Sequence, residues 1–228
     1  MPVAYLCDFD GTVAPEDIGA AWVVRHSPVA ETVRRALLER WKHGEIGNRE
    51  LTVAECAGLR CTRAEAIAFT RTFTLDPSFA PFAREAQDRG DAVMVVSDGF
   101  DFYVADHLAR AGLGDLPWAA NHVRFDEDGA ITLEFPHTGG CGRCGNCKAP
   151  HVQRYRAMGY TTVLVGDGFS DRCAARVADH VLARGGLLEW TRAQGIAARE
   201  ILDFTAVAAF ARELADGRGA EPRAGIGT

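Results

Sequence analysis

The sequence predicts an α/β fold, a parallel sheet with helices on both faces that carries a small helical insert and a β-hairpin. Three observations predict it. Apolar, β-rich runs at Val3 to Phe9, Ala92 to Ser97 and Tyr160 to Val165 each end in a polar or glycine-containing turn. After the second and third runs a helical pattern follows directly, the βα rhythm of a parallel sheet. After the first, the rhythm is interrupted by a wholly helical stretch from about Ile18 to Thr74.

The first run ends in Asp8-Phe9-Asp10-Gly11-Thr12. In open α/β sheets the reacting groups collect beyond the carboxyl ends of such strands, so two carboxylates two residues apart stand where a nucleophile and a proton donor would. At average composition this pentad arises by chance on the order of once in 10⁵ positions. In the helical stretch, Ser27-Pro28 reads as an N-cap and first-turn proline, with Val29, Val33, Ala36, Leu37 and Trp41 following at helical spacing. Thr62 and Glu65 form a capping box before Ala66-Ile67-Ala68-Phe69. Residues 15–74 are thus expected to form a helical cap inserted into a core of residues 1–14 and 75–215. From Trp118 to Phe135 the signal is a hairpin turning at Asp128-Gly129, with Ile131, Leu133 and Phe135 alternating against Thr132 and Glu134. A glycine- and cysteine-rich loop runs from Thr138 to Cys147, a further strand is expected at Val181-Leu182, and two more helical stretches reach about Ala215. Residues 216–228, rich in Gly, Ala, Arg and Pro, are expected to be disordered.

At 228 residues and 47% hydrophobic content, the chain can bury one enzyme-sized core. A net charge of −6 supplies no global positive field for nucleic acid or an anionic membrane. No window approaches the roughly 18 apolar residues of a membrane span, and no signal-peptide pattern precedes Asp8. The expectation is a cytoplasmic protein, monomer or homodimer, whose seven cysteines are thiols or metal ligands rather than disulfides.

The third run ends in Gly166-Asp167-Gly168-Phe169-Ser170-Asp171, which brings two more carboxylates to the sheet edge of Asp8 and Asp10. Four carboxylates repel one another unless a cation neutralises them, and hard oxygen ligands with room for water describe Mg²⁺. Ser97, with the amides of Asp98 and Gly99, offers donors to an anion at a helix entrance. Lys148 is one of only two lysines against 23 arginines, and it opens a helix, where a positive charge opposes the dipole. Such a local rule broken without visible gain marks a functional site.

These four elements, in this order, resemble the motifs of the haloacid dehalogenase superfamily of phosphohydrolases: Asp8-x-Asp10-Gly-Thr the first, Ser97 the second, Lys148 the third, and Gly166 to Asp171 the fourth. The resemblance spans about residues 3 to 184 and implies a Rossmann-like core. The helical insert is similar to the C1 cap of the phosphoserine phosphatase group. Within that group, Phe135-Pro136-His137, the loop entering Cys147-Lys148 and the stretch from Asp179 to Arg184 look most like the phosphatases acting on the ketopentenyl phosphate of methionine salvage. Phosphoethanolamine and phosphocholine phosphatases are also similar. Ser97-Asp98 departs from the Ser-Gly of phosphoserine enzymes, and an acidic side chain there weakens the case for that substrate. The resemblance implies an Mg²⁺-dependent hydrolysis of a small phosphorylated metabolite, with Asp8 as nucleophile and Asp10 as acid and base. It further implies Mg²⁺ held by Asp8, the Asp10 carbonyl and Asp167, Asp171 orienting a metal-bound water, and Ser97 and Lys148 holding phosphoryl oxygens. Cap and hairpin are expected to set specificity. Glu16 and Asp17 either read the substrate or cap a helix.

Cys141-x-x-Cys144-x-x-Cys147 has metal-ligand spacing, and His137 completes a Cys₃His zinc set. An iron–sulfur site needs a fourth cysteine nearby, whereas Cys173 is distant in sequence and reads, with Cys7, Cys56 and Cys61, as packing. The favoured expectation is a loop without metal, whose glycines let backbone approach the phosphate; zinc is the alternative. Two other classes use similar residues. A phosphoacceptor signalling domain would be about half this length and would lack the cap and the Asp-x-Asp pair. A zinc module with a vestigial hydrolase site is opposed by the full set of catalytic residue types.

Overall fold

The computed structural model describes residues 2–217. Among the described residues, seven strands, β1 (Val3–Cys7), β2 (Ala92–Phe100), β3 (Trp118–Phe125), β4 (Ile131–Glu134), β5 (Thr161–Gly166), β6 (His180–Ala183) and β7 (Arg199–Glu200), form one sheet in the order β4-β3-β2-β1-β5-β6-β7. All pairings are parallel except β3 with β4, the hairpin, in which Phe125 faces Ile131 and Val123 faces Leu133. Strand order runs away from β1 in both directions, so the crevice beyond its carboxyl end is the topological switch point of the sheet.

Period-two alternation sorts the strands onto two cores. Tyr5, Cys7, Val93, Val95, Val163 and Val165 point to one apolar cluster, and Ala4, Leu6, Met94, Val96 and Leu164 to the other. The first cluster is covered by α5 (Phe79–Asp88), α6 (Asp101–Arg110) and α10 (Phe204–Ala215), where Phe79 and Phe82 meet Phe204 at ring distances of 4.8 and 5.4 Å. The second is covered by α7 (Lys148–Ala157), α8 (Arg172–Ala175) and α9 (Gly185–Ala193). Both faces therefore carry helices. No helix among the described residues is long and apolar enough to cross a membrane.

The interrupting stretch is all helical: α1 (Ile18–His26), α2 (Glu31–Lys42), α3 (Asn48–Glu55) and α4 (Arg63–Thr70). Ile18, Trp22, Leu59 and Ala66 of this stretch share one apolar cluster with Tyr5 and Cys7 of β1. The Thr62–Glu65 capping box forms at the start of α4. The expected cap at Ser27 does not. Ser27 closes α1 instead, its amide bonded to the Val23 carbonyl, and α2 begins at Glu31 after Ala30. Its hydroxyl donates to the Glu55 carbonyl at 2.5 Å, so it is spent on a tertiary contact rather than on a helix start.

Further differences concern boundaries. β2 continues past Ser97 to Phe100 with a register irregularity against β3 after Val96. The two-residue β7 has too short a pattern to announce itself. Of the expected disordered segment 216–228, Asp216 and Gly217 finish the last turn of α10, and the remainder lies outside the described residues.

Candidate active site

Beyond β1 the chain makes a tight turn. The Asp8 amide still donates to Val165 of β5 at 2.9 Å, continuing the ladder, and Thr12 and Ala14 donate back to the Phe9 carbonyl. Gly11 has φ +77°, and a Cβ there would collide with the Asp167 carboxyl group. This explains why the residue after Asp10 is glycine. The turn is clamped from the far strand: Arg184 Nε donates to the Gly11 carbonyl at 2.8 Å and its Nη2 to the Thr12 carbonyl at 3.2 Å.

The structure brings Asp8, Asp167 and Asp171 together, with one carboxylate oxygen from each within 4.8 Å of the others. Lys148 lies among them, wholly buried at the first position of α7. Its Nζ is 2.6 Å from Asp8 Oδ1 and 2.5 Å from Asp171 Oδ1, and donates to Ser170 Oγ at 3.2 Å. Burial pulls the ammonium towards neutrality, but Asp171 and Asp8 together outweigh it and hold Lys148 charged. Burial also raises Asp8, with Asp171 adding repulsion and Lys148 opposing it. Asp167 is raised for the same two reasons, burial and then Asp171. Asp171 is fully engaged inward, since its Oδ2 accepts from the Asp167 and Gly168 amides at 3.1 and 3.0 Å.

This donor set fits Mg²⁺. Among the described hydrogen bonds, Asp8 Oδ1 takes Lys148 and the Phe9 amide, and Asp167 Oδ1 takes Thr12 Oγ1 at 3.1 Å. One hard oxygen on each carboxylate is left, and their mutual repulsion is what a divalent cation relieves.

Asp10 sits apart from this cluster and faces different partners. Its Oδ1 accepts from the Ile18 and Gly19 amides at the start of α1, at 2.9 and 3.2 Å. Its Oδ2 accepts from Tyr103 Oη at 2.6 Å and Ser97 Oγ at 3.4 Å. Burial raises its pKa to about 7 and the Asp17 carboxylate adds to the shift, while the Tyr103, Gly19 and Ile18 hydrogen bonds pull it back. A carboxyl group held near neutrality can both give and take a proton. Tyr103 was not expected from the sequence. It lies in the first turn of α6 and 93 residues from Asp10, and no spacing rule connects them.

Ser97 is buried at the mouth of β2, beside Asp10. The Gly99 amide, expected to face an anion, donates instead to Ser97 Oγ at 2.9 Å. Gly99 has another reason to be glycine, because a Cβ would collide with Tyr103 Oη. The Asp98 carboxylate, at the cavity wall, is taken up by hydrogen bonds from α3, β3 and the cysteine loop. It accepts from Asn48 Nδ2 of α3 at 2.6 Å, from Asn121 Nδ2 at 3.2 Å and from the Asn146 amide at 2.7 Å. Asn146 also donates to the Ser97 carbonyl at 2.9 Å and accepts from His151 Nε2 at 2.9 Å. Asp98 thus joins insert, sheet and cysteine loop, and these asparagines carried no signal that sequence reasoning could use.

A cavity of about 360 Å³ opens over these groups. Its floor includes Asp8, Asp10 and Asp167, and its wall comes from α1, α2 and α3, with Val23, Leu38, Trp41 and Leu51 beside Asp17, Arg34 and Glu55. Asp17 also caps α1, accepting from the Ala20 amide at 2.7 Å. Trp41 meets Phe169 of the fourth motif at a ring distance of 4.7 Å, closing insert onto core. The hairpin, expected to share in specificity, supplies no lining residue. It braces the insert from outside, through the Cys61 amide on the Gly129 carbonyl at 2.8 Å and the Arg60–Asp128 ion pair.

The cysteine loop differs from expectation in its partners. Cys173 of α8, expected as a packing residue, joins Cys141, Cys144 and Cys147, with all four sulfurs within 4.8 Å of one another. His137, the fourth ligand in the zinc alternative, instead sets its ring against that of His151 at 5.2 Å. Cys7, Cys56 and Cys61 are in the core.

Comparison with known proteins agrees with this geometry. The haloacid dehalogenase-like hydrolase family matches residues 5–176. The chain is 30% identical over 196 residues to the 2-hydroxy-3-keto-5-methylthiopentenyl-1-phosphate phosphatase of Brevibacillus brevis, covering 80% of this chain and 83% of the relative. It is 29% identical to the protein of the same name from an Exiguobacterium species, covering 86% and 91%. A substrate-bound phosphoserine phosphatase structure superposes with a TM-score of 0.71 at 19% identity, covering 92% of this chain and 98% of that one.

Proposed function

The chain belongs to the haloacid dehalogenase-like hydrolases, and from that premise we propose that it hydrolyses a small phosphorylated metabolite through an aspartyl phosphate on Asp8. The observation that carries this reading is the division of labour between the two motif-one carboxylates. Asp8 is ion-paired to buried Lys148 and faces Asp167 and Asp171, whereas Asp10, two residues on, turns to the start of α1 and to Tyr103, where burial raises it to about 7. Asp8 attacks phosphorus as the bond to the leaving oxygen breaks, and Asp10 gives that oxygen its proton. Asp10, now a carboxylate, takes a proton from the water that cleaves the acyl phosphate, which restores Asp8 and releases phosphate. Lys148 and Ser97 hold the phosphoryl oxygens through the loose transition state. Asp8, the Asp10 carbonyl and Asp167 would hold Mg²⁺, whose charge offsets that of the transferring group. Asp171 fixes Lys148 and the Asp167 turn.

Residues 15–74 act in this reading as a cap that excludes bulk water and selects the leaving group. The apolar wall of Val23, Leu38, Trp41 and Leu51 suits a methylthioalkyl chain, in keeping with the substrate named by the relatives. A second reading rests on Asp17, Glu55 and Arg34 in the same wall, whose opposite charges suit a zwitterionic phosphate ester such as phosphoserine. Turnover of p-nitrophenyl phosphate, abolished by EDTA and restored by Mg²⁺, tests the reaction. Comparing kcat/KM for the ketopentenyl phosphate, phosphoserine, phosphoethanolamine and phosphocholine tests the substrate. No turnover of any phosphate monoester with Mg²⁺ present would refute the proposal.

A further inference from the structure

We propose that Cys141, Cys144, Cys147 and Cys173 bind one structural Zn²⁺ that staples the cysteine loop to the helix following motif four. Four thiols converge although Cys173 is separated from the other three by a helix and a strand. A tetrahedral zinc–thiolate centre with Zn–S of about 2.3 Å has sulfur–sulfur edges of about 3.8 Å. Here the four sulfurs lie within 4.8 Å of one another, with Cys141 and Cys144 at 3.4 Å. A metal fits between them with only small side-chain adjustment, whereas a multi-iron cluster needs its thiolates farther apart. Burial grades from exposed Cys141 through Cys173 to buried Cys144 and Cys147, which leaves an entry path for the ion.

The fourth cysteine also keeps a zinc ion beside Lys148 from acting as an electrophile towards the phosphate. Four thiolates complete the tetrahedron and leave no open coordination position, the closed arrangement of a structural rather than a catalytic site. Binding displaces four thiol protons and changes no oxidation state.

The position of the staple gives it a purpose. Cys147 adjoins Lys148, and Cys173 lies two residues after Asp171, so the metal would tie together the two segments whose side chains meet at 2.5 Å in the phosphate site. The same loop holds Asn146 against Ser97 and Asp98. On its outer side, the Arg143 carbonyl accepts from the Arg49 amide of the helical insert at 3.0 Å. Ten residues from His137 to Asn146 contain four glycines and no regular secondary structure, and such a segment needs a crosslink to hold three sets of contacts at once.

The test uses the full chain purified without an affinity tag that binds metal. Elemental analysis after dialysis against EDTA is expected to find about one zinc per chain, released in step with mercurial titration of four thiols. Cys173→Ser, which leaves the three loop cysteines intact, is expected to lower zinc content at least about fivefold. Cys61→Ser, in the core and outside the cluster, is expected to retain it. Zinc well below stoichiometry with seven free thiols, iron in place of zinc, or a disulfide within the cluster would each overturn the proposal. The wild-type stoichiometry decides even where a variant fails to fold. Because metal content is read independently of turnover, this test stands or falls apart from the phosphatase reading.

Discussion

At the scale of single residues, the site depends on how two neighbouring carboxylates are treated. Asp8→Asn removes the oxygen nucleophile while keeping the size and hydrogen-bonding shape of the side chain. Turnover is therefore expected to fall to background with the circular dichroism spectrum unchanged, and retained activity in a pure sample would exclude Asp8 as nucleophile. Asp10→Asn is expected to slow an alkyl phosphate by about 10²–10⁴-fold but a nitrophenyl phosphate much less, because a good leaving group needs little protonation. Equal losses would give Asp10 a structural role. Tyr103 supplies a sharper check. Burial raises Asp10 to about 7, and if it is the acid its protonated form falls tenfold per pH unit above that value, so the rate for poor leaving groups is expected to show an alkaline limb. The Tyr103 hydrogen bond lowers the Asp10 pKa, and Tyr103→Phe is expected to move that limb to higher pH. An unmoved limb in the pH–rate profile would assign it to another group. Asp8, Asp10, Lys148 and Asp167 were legible in the sequence because each sits at a strand end or helix start. Tyr103, Asn121 and Asn146 were not, because side chains on separate elements meet only after folding.

At the scale of elements, α2 is the informative helix. Its apolar period was visible, yet none of its residues is buried in the core, and Val33 is half exposed. The face turned to the cavity is that of Arg34, Leu38 and Trp41, which shares only Trp41 with the period read from the sequence. Leu38→Ala is therefore expected to change stability by less than about 1 kcal/mol in chemical denaturation, the range of surface positions. It is expected to lower kcat/KM for a methylthioalkyl phosphate by about tenfold while leaving phosphoethanolamine nearly unaffected. A large loss of stability with unchanged selectivity would make α2 a packing helix. Periodicity announces that a helix has an apolar face; it does not say whether protein or ligand covers it. The Ser27 expectation failed similarly: the residue has the chemistry of an N-cap, and the loop before Glu31 used it to hold α3 instead.

At the scale of the whole molecule, insert and sheet share one apolar cluster, with Trp22 wholly buried against Phe100 and Phe102 at 5.4 and 5.1 Å. Denaturant unfolding is therefore expected as one transition, coincident by tryptophan fluorescence and far-ultraviolet circular dichroism. Trp22→Ala is expected to cost about 3–5 kcal/mol while keeping that single transition. Two separated transitions would show that the helical insert folds as an independent unit.

What the sequence determined by itself was everything carried by local order. The periods of three strands gave the parallel sheet, the residues at their ends gave the carboxylate set, and the scarcity of lysine singled out Lys148. What only the tertiary structure decided was which distant residues become neighbours. Cys173 completes the thiol cluster because α8 packs against α7, so that two short segments some 26 positions apart meet above one face of the sheet. The hairpin left the cavity for the same reason. A residue's chemistry is written in its side chain, but its partner is set by the packing of elements, which minimises exposed apolar area over the whole chain at once.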